Sequence, residues 1–195
     1  MINKINLMWV KTVSLTLLFS LLGCVAEAKK GDNSGNKDAS VVTPVGSLSI
    51  KSQGDADKIG VKLYPGARLK PDTEADHNSN NANINVSTSL FGMKLIVQKY
   101  ETSDPPEKVV AFYEKELSKF GKVIKCEAGS PTATSADHNN DAPVACDKSD
   151  AAGDDYKTEL KVGTERNQHI VAVKPKGTGT AFALVYVHVR SGDKE

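Results

Sequence analysis

No catalytic signature stands out in this chain. It has no Gly-x-Ser-x-Gly elbow, and its serines near His138 have no recognisable base partner. Lys176-Gly177-Thr178-Gly179 has glycines without the spacing of a phosphate loop and reads as a hairpin turn. Charge of one sign is also missing. The formal net charge is +1, and removal of an N-terminal export segment bearing Lys4 and Lys11 leaves 23 basic against 24 acidic side chains. A nucleic-acid binder needs a concentrated basic face, so that class is excluded. Aromatic residues are only 6% of the chain, so the core must come mainly from its aliphatic segments. The one long apolar run, from about Val13 to Leu22, is too short to span a bilayer.

What is present begins with that run. A basic start, a short apolar stretch and Leu21-Leu22-Gly23-Cys24 make residues 1–23 a signal peptide of the lipoprotein type, with Cys24 cleaved at its amide and lipidated. The Leu-Leu-Gly-Cys stretch resembles the lipobox of bacterial lipoproteins, and by that resemblance Val25 after the cysteine implies the outer membrane, facing the periplasm. The competing processing site, Ala26-Glu27-Ala28, would discard Cys24 and release a soluble periplasmic or secreted protein after Ala28. Residues 24–52 are expected to be a flexible tether, since Lys29 to Ser40 is small and polar and Val41 to Ile50 is only weakly apolar.

Residues 53–195 are expected to form a single α+β domain: an antiparallel sheet of about four to five strands with one amphipathic helix on one face. The helix is the firmest element. Asp104 is the expected N-cap, Pro105 the first helical residue, and Glu107 completes the spacing of a capping box. Val109, Phe112, Tyr113, Leu117 and Phe120 form its apolar stripe, and Gly121 ends it. Asp72 to Asn85 reads as a loop and Val86 to Glu101 as one strand, with Phe91, Met93, Leu95 and Val97 expected to face the helix. Lys122–Cys126, Tyr156–Val162, Gln168–Lys174 and Thr180–Arg190 are the later strands, and a long polar insert occupies about 127–155.

Leu63-Tyr64-Pro65-Gly66-Ala67, the stretch YETSDPPEKVVAFYEKEL and the closing GTGTAFALVYV together resemble a recurring exported bacterial domain of unknown function. That resemblance covers roughly residues 60 to 190 and implies a fold and an envelope setting, with no catalytic residue to carry over.

With Cys24 lipidated, Cys126 and Cys146 remain and are expected to pair, as suits an exported chain. The tetrapeptide Ala-Asp-His-Asn occurs twice, opening the runs Asp76-His77-Asn78 and Asp137-His138-Asn139 with Asp141. Alternating oxygen ligands suit calcium, and two histidines brought together would suit zinc. Neither run has the sixth-position glycine or twelfth-position glutamate of an EF-hand, so ordinary polar loops are the preferred reading and no cofactor is expected. His169 and His188 read as packed or surface residues. The expected function is a cell-envelope binding or accessory module. It is anchored to the membrane by lipid, with an envelope protein as partner and the sheet face away from the helix, with the two Asn/Asp loops, as contact surface. A metal-binding exported protein is the first alternative and a hydrolase the second.

Overall fold

The computed structural model describes residues 27–30, 38–51, 56–70, 81–127, 141–146 and 156–191. Among these the chain forms ten strands and one α-helix. The strands are β1 (Glu27–Lys30), β2 (Ala39–Thr43), β3 (Gly46–Lys51), β4 (Arg68–Leu69), β5 (Ala82–Thr88) and β6 (Phe91–Thr102). After helix α1 (Pro106–Leu117) come β7 (Ile124–Glu127), β8 (Thr158–Thr164), β9 (Asn167–Lys176) and β10 (Gly179–Ser191). All pairings are antiparallel, in the order β1-β2-β3-β5-β6-β10-β9-β8-β7, with β4 added at β6.

The fold is therefore mainly β, which corrects the expected α+β class and its four to five strands. The extra strands come from segments whose polar residues suggested loop or tether. In Gly46–Lys51 and Ala82–Thr88, serine and asparagine alternate with Leu48, Ile50, Ile84 and Val86. That is the period of a strand wet on one side, and pairing to neighbours outweighs the low strand propensity of asparagine. The single strand expected over Val86–Glu101 is likewise two strands joined by Ser89-Leu90. Part of the expected tether, residues 39–51, is the β2–β3 hairpin, and β1 pairs to it through Glu27↔Val42 and Lys30↔Ala39.

The core lies between α1 and one face of β6, β8, β9 and β10. Val109, Tyr113 and Leu117 of the helix are fully buried against Leu160, Val162, Val171, Val173, Phe182 and Leu184. Tyr113 and Phe182 have ring centroids 5.5 Å apart, as do Tyr100 and Phe182. Such ring pairs add about 0.5–1.5 kcal/mol beyond their area.

The helix starts one residue later than expected. Pro106 disfavours the helical conformation at the residue before it, so Pro105 is extended (φ −69°, ψ 156°) and no side chain caps the first turn. The carboxylate of Asp104, freed from capping, accepts from the Tyr64 hydroxyl at 2.9 Å and from Lys108 Nζ at 3.0 Å. Beyond Leu117 the helix tightens into a 3-10 turn, Ser118–Phe120, and Gly121 (φ 136°, ψ −158°) takes a conformation open essentially to glycine alone.

The face of β6 is also corrected. Gly92, Ile96, Gln98 and Tyr100 point into the helix-side core, whereas Met93, Leu95 and Val97 lie on the opposite face and Phe91 is 40% exposed. Both sets are largely apolar, so alternation alone does not choose between them; pairing Tyr100 with Phe182 and Gln98 with Leu184 does.

Candidate functional site

The sheet changes its dry side across its width. On β8 the apolar residues Leu160 and Val162 point to the helix, and on β9 Val171 and Val173 do so while Ile170 and Ala172 take the other face. On β3 and β5 the helix-side positions are Ser47, Ser49, Asn83, Asn85 and Ser87, and the apolar residues occupy the other face. Strands β6 and β10, in the middle, carry apolar residues on both faces, and the buried Gln98 on the helix side of β6 accepts from the Tyr100 hydroxyl.

The register lines the outer apolar residues into cross-strand rows. One runs Leu48, Val86, Met93, Val189; the next runs Ile50, Ile84, Leu95, Val187. Directly opposed residues on antiparallel strands have Cβ atoms about 4.5–5.5 Å apart, so each row is a continuous apolar ridge. These rows carry no charged residue. Leu48 and Ile50 are 38% and 36% exposed, and the others are half-buried by their lateral neighbours. Among the described residues, α1 packs on the opposite face, as do the 3-10 turns at Ala56–Ile59 and Ser118–Phe120. Among the described residues this outer face is covered only toward β9. There Tyr156 packs on Ala172 and Ala183, with Lys174 Nζ 4.9 Å from its ring centre. The disulfide between Cys126 and Cys146 (Cα–Cα 5.5 Å) ties the insert to β7 at that same side. Interaction sites on folded domains are found at contiguous exposed apolar surface, which makes this face the candidate.

The histidines and the Tyr64–Asp104 pair of the described chain are structurally occupied. The imidazole of His169 meets the Ile59 carbonyl oxygen at 2.9 Å and is held between Phe120 and Tyr186, with centroids at 4.1 and 4.8 Å. Burial holds its pKa below the ordinary histidine value, only partly offset by that hydrogen bond. His188 is exposed and stacks beside Tyr186. Burial, followed by the bond to Asp104, raises the Tyr64 phenol. Lys108 and then Tyr64 hold the Asp104 carboxyl below its ordinary value. A cleft of about 460 Å³ lies between the Gly66–Lys70 turn and the β9–β10 hairpin. It brings Arg68, Lys70 and Lys176 together; among the described residues its one carboxylate, Glu101, is paired to Lys176, and no histidine or cysteine lines it.

Of the residues singled out from sequence, Cys24, Asp76, His77, Asn78, Asp137, His138 and Asn139 lie outside the described residues. Asp141 is in an exposed turn, and among the described residues no group of three His, Cys, Asp or Glu could hold a metal ion. Nor is any described helix long and apolar enough to cross a membrane. The outer rows escaped the sequence reading because Ile84 and Val86 alternate with Asn83, Asn85 and Ser87. The signal that would have found them is the strict alternation over residues 82–88. No family model matches the chain, and no curated protein or solved structure matches it either.

Proposed function

We propose that the protein is a lipid-anchored cell-envelope module that binds and does no chemistry of its own. Cys24 is its anchor, and the outer rows of β3, β5, β6 and β10 are its contact surface for another envelope protein. The observation that carries the reading is the uncharged face Leu48–Val86–Met93–Val189 and Ile50–Ile84–Leu95–Val187, which no described element covers. Burying such a surface against a partner supplies the driving force for association, and the absence of charge removes the desolvation cost. The resemblance to an exported domain and the Leu-Leu-Gly-Cys motif support the envelope setting.

A photo-crosslinking amino acid at position 95, compared with one at position 85, tests the surface in intact cells. Leu95 is on the outer face and Asn85 on the wet side of the neighbouring strand. A discrete adduct from 95 alone, lost when Ile84→Asp is added, supports the reading; adducts from neither position end it. Mass spectrometry of the mature N-terminus tests the anchor separately, since a chain beginning at Lys29 would have no lipid.

A further inference from the structure

One end of the sheet carries the two most exposed large apolar residues among those described, Val45 and Leu90, with Phe91 beside them. Val45 is 78% exposed, Leu90 74% and Phe91 40%. Val45 is at the tip of the β2–β3 hairpin and Leu90 at the tip of the β5–β6 hairpin, and the pairing Gly46↔Thr88 sets these tips side by side. They are pressed close: a Cβ on Gly46 would stand 2.6 Å from the Ser87 carbonyl oxygen, so only glycine fits there.

Two-residue hairpin loops favour Asn, Asp and Gly. Here the loops are Pro44-Val45 and Ser89-Leu90, so turn geometry is no reason for the apolar residues. The turns are instead fastened from below. The Thr43 hydroxyl donates to the Gly46 carbonyl at 3.0 Å, and the Thr88 hydroxyl donates to the Phe91 carbonyl at 2.9 Å while accepting from the Phe91 amide at 2.9 Å. Two rigid turns thus hold apolar side chains out at one level.

An independent feature points to what they meet. β1 pairs antiparallel to β2 through Glu27↔Val42, so the chain enters the sheet at the end that bears Val45. Cys24 is three residues upstream, a reach of about 10 Å at full extension. A lipid on Cys24 therefore brings this end of the sheet, and no other, to the bilayer. Arg190 lies across Gly92 at the same end, where a cation meets anionic headgroups.

We infer that the paired tips Val45 and Leu90, with Phe91, insert into the lipid surface beside the anchor and stand the sheet on the membrane with its outer face accessible from the side. This rests on Cys24 as the point of attachment, and the test supplies that attachment chemically. The only tryptophan of the sequence is Trp9, within the export segment, so the processed chain has none. Residues 24–195, with Cys126 and Cys146 oxidised, are coupled through the Cys24 thiol to a maleimide lipid. The vesicles contain phosphatidylethanolamine, phosphatidylglycerol and a bromine-labelled lipid. In Leu90→Trp the emission is expected to shift to the blue and to be quenched by bromine. In Thr178→Trp, in the β9–β10 turn at the far end of the strands, neither is expected. No quenching at position 90, or equal quenching at both positions, overturns the inference. Failure of the cell to lipidate Cys24 would instead appear in the mature mass and leaves this measurement unaffected.

Discussion

The backbone amide of Tyr64 donates to the buried hydroxyl oxygen of Tyr113 at 3.0 Å, joining the Tyr-Pro-Gly-Ala turn to the middle of α1 across 49 residues. Tyr113 has no exposed surface, and burial raises its phenol well above the ordinary value, so it serves as a neutral acceptor at any physiological pH. Tyr113→Phe keeps the ring and removes the acceptor. The stranded Tyr64 amide is expected to cost about 1–3 kcal/mol, read from the midpoint of urea unfolding.

Neighbouring residues of β6 should respond in opposite ways. Ile96 is fully buried beneath the helix, so Ile96→Ala is expected to cost about 2–4 kcal/mol through lost transfer energy and a residual cavity. Leu95 is half-buried on the outer face, and Leu95→Ser should cost about 1 kcal/mol while weakening partner capture. Equal losses of stability would mean that something covers the outer face.

Cys126 and Cys146 close a loop of 20 residues. Reduction, or Cys126→Ser with Cys146→Ser, is expected to lower stability by about 3 kcal/mol in the chain-entropy account. Unfolding with and without reductant measures it. The sheet should survive, since α1 packs on the opposite face from the disulfide.

Acidification should act through His169. Its folded pKa lies below the unfolded value of 6.5, mainly because burial penalises the charged imidazole. The folded state therefore binds fewer protons than the unfolded one. Its contribution is complete above pH 6.5 and is lost as pH falls through the lower folded value. Unfolding midpoints are expected to drop between pH 7 and pH 5 in the native chain, and His169→Gln should flatten that slope even though it lowers the absolute stability. Asp104, whose carboxyl is held below its ordinary value by Lys108 and Tyr64, contributes in the same direction at still lower pH.

Several elements were legible because their cause is local. The stripe Val109, Tyr113 and Leu117 and a proline start place α1 to within one residue at its beginning, and the glycine stop falls after the 3-10 turn that follows Leu117. The last two strands announce themselves by dense β-branched residues on either side of a Gly-Thr-Gly turn. Thr88, Leu90 and Phe91, by contrast, have no meaning as a sequence triplet; they matter only because Gly46 is hydrogen-bonded alongside.

The chain by itself determined where α1 and the later strands form, that Cys126 and Cys146 are the only cysteines beyond Cys24, and that one charge sign does not dominate. Tertiary structure decided which side of β6 meets the helix, that residues 39–51 and 82–88 join the sheet, and that β1 enters it at the end bearing Val45 and Leu90. The reason is that side-chain alternation specifies a period of two and nothing more. Which of two apolar faces is covered, and which hairpin tip lies next to which terminus, depends on strand order and register, set by contacts between residues far apart in the chain.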